Sequence, residues 1–271
     1  MDLNDKARWI RREIVEMAAV AGEGHISSGM SCIEMLVALY YTPGLFQHRP
    51  DDPKWEGRDR LWLSKGHGVL PLYPILADRG YFSVPELRTF CQDGSRLGIH
   101  AEPACPGIEA VFGSLGHGFN LAVGASLAAK MDGKNHTNVV LLGDGECYEG
   151  QIWEAAMFAA HHRLDNLVVM LDRNGMCVCD FTEHIVAQEP FSEKWAAWGW
   201  ETCKVDGHNI EWLQIALSKA MASRRGFPKI LICDTIKGRG ISFMENEALW
   251  HGGAVTDQGQ LDQARAELAE E

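Results

Sequence analysis

Two periods of apolar residues run along this chain. From Lys6 to Ala21 the apolar positions Trp9, Ile10, Ile14, Met17, Ala18 and Ala21 recur at helical spacing, and Gly22-Glu23-Gly24 closes the segment. A second helix is predicted from near Ser31 to about Tyr41. Gln47 to Asp59, with two prolines and several charges, reads as surface loop. Arg60 to Ser64 reads as a short strand ending at Lys65-Gly66-His67-Gly68, followed by a helix to Arg79 and another from Val84 to Cys91. Asp93 to Gly116 is a Gly- and Pro-rich loop of a length that is usually functional or disordered, and its His100, Glu102 and small residues favour function. Beyond it the pattern predicts a helix from Leu115 to Lys130, strand 138–142, helix 149–162, strand 167–171, helix 192–198, strand 201–205, helix 210–223 and strand 229–234. Asp257 onward is a polar tail that reads as a last helix. Short apolar runs separated by helices imply a parallel sheet covered on both faces. The predicted fold class is therefore α/β, a single-domain parallel sheet with helices on both faces spanning 1–271, with no internal repeat, linker or second domain.

Composition narrows the function. The chain has 271 residues, 46% of them hydrophobic, enough for one large core. Its net charge of −12 and acidic stretch from Ala264 to Glu271 argue against a nucleic-acid partner. Eight cysteines are scattered, with only Cys177-Val178-Cys179 close together. That is no zinc-ligand spacing, and reduced, mostly buried thiols in a cytosolic protein are the expected state. The N-terminus is polar and acidic, unlike a signal peptide, and no apolar run reaches the ~20 residues of a membrane span. These features predict a soluble cytoplasmic protein with no membrane partner.

The chemistry centres on Gly143-Asp144-Gly145. The apolar run from Val139 to Leu142 stops there, which puts a carboxylate at the end of a buried strand. One helix and one strand later, Asn174 arrives at the end of a neighbouring strand. Asp and Asn oxygens are hard ligands, suited to Mg²⁺ or Ca²⁺ that also carries phosphate oxygens. Open parallel sheets bind ligands at the carboxyl ends of their strands. Gly-Asp-Gly alone is a common turn; the strand, helix, strand and Asn at matched distance favour the functional reading. Four histidines stand near glycines at predicted element ends: His25, His67, His100 and His251. Each alone reads as structural or surface histidine. Together they fit a site where glycine lets backbone and ligand approach, with imidazoles that donate to diphosphate or sugar oxygens and move protons. His136, His161, His162 and His184 lack such settings and read as surface groups. Lys65 and Lys237, also beside glycines, suit phosphate as point charges, and no Walker loop is present. Glu149 and Glu154 read as helix-start charges complementing the dipole. Trp153, Trp195, Trp198, Trp200 and Trp212 read as core or subunit interface.

Taken in order, Gly24-His25, Leu63-Ser64-Lys65-Gly66-His67-Gly68, Gly113-Ser114-Leu115-Gly116, Gly143-Asp144-Gly145-Glu146, Asp172-Arg173-Asn174-Gly175, Lys237-Gly238-Arg239-Gly240-Ile241 and Trp250-His251-Gly252 resemble the N-terminal, thiamine diphosphate-binding part of transketolases. The resemblance covers almost the whole chain, Ala7 to about Asp257. It implies that Asp144, Asn174 and the backbone carbonyl of Met176 coordinate Mg²⁺, with Ca²⁺ or Mn²⁺ as substitutes. It places Lys65, His67, Gly145, Asn174, Lys237 and His251 around the diphosphate and thiazolium of thiamine diphosphate. Gly113 and Leu115 would meet the aminopyrimidine through backbone groups. His25, Ser28, His100 and His251 would face the sugar substrate, and His25, His67, His100 and His251 would assist its proton transfers. Ile26-Ser27-Ser28 after His25, His117 in place of the usual Gln, and Ala101 in place of the usual Pro depart from the family pattern and bear on substrate choice. Full transketolases continue into domains that supply an activating glutamate. This chain thus resembles the N-terminal subunit of a split transketolase, with a complementary C-terminal subunit, two copies of each chain, and an active site between subunits. The implied reaction moves a two-carbon ketol unit from a ketose or its phosphate to an aldose or its phosphate. The alternatives are half of a 2-oxoacid dehydrogenase-type thiamine enzyme, which the histidine set disfavours, and a non-catalytic cofactor-binding module.

Overall fold

The computed structural model describes residues 2–253 and 255–270. The predicted domain 1–271 thus includes Met1, Ala254 and Glu271, which lie outside the described residues. The helices are α1 (Leu3–Ala21), α2 (Ile26–Met30), α3 (Ile33–Tyr41), α4 (Leu72–Asp78), α5 (His117–Met131), α6 (Gly150–His161), α7 (Thr182–Ile185), α8 (Phe191–Ala197), α9 (Ile210–Ala222) and α10 (Gln258–Glu270). The strands are β1 (Arg60–Leu63), β2 (Asn138–Gly143), β3 (Leu167–Arg173), β4 (Met176–Cys177), β5 (Asp180–Phe181), β6 (Glu201–Asp206) and β7 (Lys229–Asp234).

Five strands form one parallel sheet in the order β1-β2-β3-β7-β6. β2 and β3 are buried along nearly their whole length, as a sheet covered on both faces requires. Helix α5 packs on β1, β2 and β3 and against α6, while α3 and α1 stack behind α9, which lies on β6 and β7. β6, at the sheet's edge, is mostly half-buried or exposed, with Val205 alone of its six residues buried.

Register decides what meets at the carboxyl rim. Gly143 pairs with Asp172, and Arg173 with Asp234. The segments leaving β2, β3 and β7 therefore emerge level with one another. The strand order also breaks here, where β7 returns beside β3, and open α/β sheets hold ligands at such breaks.

Three local features differ from the sequence prediction. Ile26–Met30 is a helix of its own, buried at every position, so it has no polar face to betray it. Val84–Thr89 is a 3-10 turn with Pro85 near its start, rather than an α-helix. Between Asn174 and Gln188 lie the β4–β5 hairpin and α7, elements too short for any periodicity to show.

Candidate active site

Two buried carboxylates organise the rim. Asp172, the penultimate residue of β3, is 0% exposed and holds Lys65 in an ion pair. It also accepts from Ser31 Oγ at 2.6 Å, from Thr235 Oγ1, and from Asn174 Nδ2 at 3.3 Å. Lys65 completes its shell on the Ser28 carbonyl, 2.8 Å, and Ser31 Oγ, 3.2 Å. Burial works against both charges, yet their mutual attraction wins: the Lys65 ammonium is held above its ordinary range and the Asp172 carboxyl below its own. The resemblance put Lys65 on the diphosphate. In this structure the three N–H donors of its ammonium go to Asp172, the Ser28 carbonyl and Ser31 Oγ. Lys65 thereby ties β1, α2 and β3 together beneath the rim. Asp172 gave no signal in the sequence beyond standing two residues before Asn174.

Glu146 is the second organiser. Its carboxylate accepts from Ser64 Oγ at 2.5 Å, Gly116 N at 2.7 Å and Gly143 N at 3.1 Å. It thereby fastens the ends of β1 and β2 to the start of α5, which fixes the Gly113–Leu115 turn. Gly66 allows the same closeness: a Cβ there would lie 1.9 Å from the Phe112 carbonyl oxygen. Gly113 itself faces open space, and the Leu115 carbonyl accepts from Gln151 Nε2 at 3.0 Å.

Asp144 follows β2. Its Oδ1 accepts from Gly145 N at 2.8 Å, and its Oδ2 from Gly175 N at 2.7 Å and Arg173 Nη1 at 3.0 Å. Burial, then the nearby Asp172 charge, push its carboxyl up to about 6 despite these donors. Asn174 turns its Oδ1 to Met176 N at 3.0 Å, closing a tight turn into β4. The Asp144 carboxylate, the Asn174 amide oxygen and the Met176 carbonyl are thus carried by two adjacent, hydrogen-bonded turns. This is a hard-oxygen set around a buried carboxylate that shares the Arg173 guanidinium with Glu183 and Glu189, and a divalent cation fits it. Among the described residues no group of three His, Cys, Asp or Glu could hold a metal; the set here draws on an amide and a carbonyl instead.

The histidines come together from four separate loops. The His25 ring lies 5.7 Å from His67, 5.6 Å from His100 and 5.6 Å from His251, and His67 lies 5.3 Å from His251. Backbone bonds stitch the outer loops: Gly253 N to Gly24 O at 2.9 Å, and Gly238 N to Ser27 O at 2.9 Å. His25 Nδ1 donates to the His251 carbonyl at 3.0 Å, which leaves Nε2 as its basic nitrogen. Lys237 Nζ donates to His251 Nδ1 at 2.9 Å, so the His251 proton sits on Nε2. Burial first, with neighbouring cations second, depresses His67 well below its ordinary value and His251 to about 4. Burial also lowers His100. These three rings are therefore neutral at pH 7. Lys237 is 2% exposed and drops to about 8, from burial and then the charge of Lys65. Among the described residues its hydrogen bond goes to an imidazole rather than to a carboxylate. A buried cation whose hydrogen bond goes to a neutral ring fits a phosphate-bearing ligand. Ser28 is buried, and its Oγ has no hydrogen-bond partner.

Other expectations divide. Trp195 and Trp200 are core, while Trp198 and Trp212 are exposed. Cys32, Cys105, Cys147 and Cys233 are buried, but Cys179 and Cys203 are exposed, so only half the thiols are interior. Glu149 precedes α6 without a side-chain capping bond.

A family model described as transketolase, thiamine diphosphate binding domain, matches residues 4–270. The chain is 41% identical over 272 residues to a 6-deoxy-6-sulfo-D-fructose transketolase subunit of Clostridium sp. strain MSTE9, covering 100% of this chain and 98% of that one. It is 39% identical to an apulose-4-phosphate transketolase subunit of Phocaeicola vulgatus, covering 96% and 91%. Among solved structures, transketolase from Leishmania mexicana superposes with a TM-score of 0.90 at 28% identity, over 99% of this chain and 41% of that one. Transketolase from Campylobacter jejuni does so with the same score and identity, over 99% and 43%. The chain thus spans about two fifths of the length of these solved transketolases.

Proposed function

From the premise that this chain belongs to the transketolase family, through its thiamine diphosphate-binding domain, we propose that it is the N-terminal, cofactor-holding subunit of a two-component transketolase. The observation that carries this reading is the convergence of His25, His67, His100 and His251 above a rim presenting Asp144, Asn174 and Lys237. Relatives covered over nearly their full length and named as transketolase subunits support the two-chain form. In this reading a complementary C-terminal subunit supplies the activating glutamate, and the assembly holds two copies of each chain. The free state of all eight cysteines supports a reducing, cytoplasmic setting. Among the described residues no helix is long and apolar enough to cross a membrane.

Asp144, Asn174 and the Met176 carbonyl would hold Mg²⁺, and Lys237 would neutralise diphosphate charge. Bound thiamine diphosphate supplies the electron sink that ketol transfer needs. The residues of this chain then handle protons. His25 Nε2 takes a proton from a hydroxyl of the ketose donor and returns it to the acceptor. His251 Nε2–H and the neutral His67 and His100 rings orient sugar oxygens without competing for charge. The ring of four histidines disfavours 2-oxoacid chemistry, which has no polyhydroxyl chain to bind.

The test combines the purified chain with its complementary partner, offering xylulose 5-phosphate, fructose 6-phosphate, 6-deoxy-6-sulfofructose, apulose 4-phosphate and pyruvate as donors. Ketol transfer from a sugar, by the pair and not by the chain alone, is the expected result. Turnover of pyruvate, or robust transfer without the partner, would sink the proposal. Tight cofactor binding with no transfer from any donor would favour the non-catalytic module.

A further inference from the structure

The segment that presents Lys237 is held by groups that take no part in the proton transfers above. His208 follows β6, and both of its ring nitrogens are engaged. Nδ1 lies 3.0 Å from Glu34 Oε2, and Nε2 accepts the Ile236 amide at 2.9 Å. An amide hydrogen can only be donated, so Nε2 carries no proton and Nδ1 carries one. A carboxylate, which only accepts, is the matching partner for Nδ1–H. Glu34 is 5% exposed; burial raises its carboxyl, but the Arg11 charge and the His208 bond prevail and hold it below its ordinary value. Arg11 grips the other Glu34 oxygen and reaches the Arg239 carbonyl at 3.3 Å. Ile236 N–H and Arg239 C=O bracket Lys237, so one buried network running from α1 and α3 fixes the backbone on both sides of it.

Gly207 makes the approach possible. A Cβ there would lie 2.3 Å from Thr235 Cγ2 and 2.9 Å from the Asp234 carbonyl oxygen. The turn after β6 can therefore press against the exit of β7 and bring the imidazole under Ile236. The contact is also specific in polarity: an apolar side chain would fill the space but leave the Ile236 N–H without its acceptor.

We propose that His208, kept as the Nδ1–H tautomer by Glu34, is a positioning residue that holds Ile236–Arg239 so that Lys237 Nζ stays against His251 Nδ1. Its catalytic consequence rests on the ketol-transfer reading above, whereas its structural consequence does not.

The test uses the full chain as wild type, His208→Leu and His208→Gln. A glutamine can offer its carbonyl oxygen to Ile236 and its amide to Glu34. Imidazole ¹⁵N spectra of the wild type should show Nδ1 protonated. Hydrogen exchange of the Ile236 amide should quicken about tenfold in the leucine variant, the loss of one ordinary hydrogen bond, and return toward wild type with glutamine. With the partner chain present, kcat should fall in the leucine variant with little change in donor KM, and glutamine should restore it. A merely space-filling role would lower thermal stability in both variants and leave kcat per folded molecule unchanged. Protonated Nε2 in the wild type, unchanged Ile236 exchange in the leucine variant, or equal losses with leucine and glutamine would each overturn the proposal. The wild-type tautomer decides it even if the leucine variant does not fold. Should the wild-type pair transfer no ketol unit, the functional reading fails, while tautomer and exchange still judge the positioning role.

Discussion

Replacing Asp172 by Asn tests the pair on which the rim is built. The substitution keeps volume and shape but strips the charge that Lys65, at 2% exposure, faces. Removing one partner of a buried pair costs about 3–5 kcal/mol, because the remaining charge is left uncompensated. Bonds from Ser31, Thr235 and Asn174 also lose their charged acceptor, which keeps the expectation at the upper end of that range. For a domain of this size about 1 kcal/mol shifts Tm by ~2–4 °C, so Asp172→Asn should melt about 10–20 °C below wild type. Lys65→Met should be similarly damaging, since it strands the carboxylate instead. The double variant removes both charges and should be less destabilised than the sum of the two by about 2 kcal/mol or more. The assay is urea unfolding followed by far-UV circular dichroism, with midpoints compared at unchanged slope. A cost for Asp172→Asn below about 1 kcal/mol, or additivity within ~0.5 kcal/mol, would refute the account of Lys65 as a structural cation.

Gly66→Ala should force the Phe112 carbonyl away and displace the Gly113–Leu115 turn, costing ~1–3 kcal/mol and weakening thiamine diphosphate binding by calorimetry; wild-type affinity would contradict it. Asp144→Asn should weaken Mg²⁺-supported cofactor binding by more than the ~10–100-fold that an outer-sphere loss costs, and EDTA should do the same to the wild type; binding that ignores both would remove Asp144 from the metal site. Acid should destabilise the fold through histidines that burial holds neutral: His67 well below its ordinary value, and His48 and His251 at about 4. Between pH 6.5 and 4 the unfolded chain binds more protons at these rings, so stability is full above pH 6.5 and falls as pH drops toward 4. Asp144, raised to about 6, and the raised carboxyls of Asp59, Glu146 and Asp234 pull the other way, but His100 and His136, also lowered, and the lowered carboxyls of Glu34 and Asp172 add to the loss on acidification. Urea midpoints at pH 7.5, 6 and 5 check the sign, and a midpoint that rises on acidification would refute it.

The helices and strands of the sheet were legible because their signals are local. β2 and β3 are unbroken apolar runs, and α1 shows one clean buried face. The failures are equally local in cause. α2 is buried on every side and has no polar face, and the hairpin after Asn174 has strands of two residues each. Glu146 directly follows Gly143-Asp144-Gly145, yet nothing in its neighbours foretold bonds to Ser64, Gly116 and Gly143. His208 carried no signal at all, because its partners Glu34 and Ile236 lie far away in the chain.

The sequence by itself determined which residues stand at the ends of strands: Asp144 after β2, Asn174 after β3, Lys237 after β7. A chain that alternates apolar strands with amphipathic helices must expose those ends on one rim. Only the tertiary structure decided that β7 inserts beside β3, that Gly143 lies level with Asp172, and that His25 meets His251. It alone showed that Lys65 pairs with Asp172. Periodicity reports each segment's preference for a buried face, whereas strand order, register and ion pairing follow from contacts between distant segments.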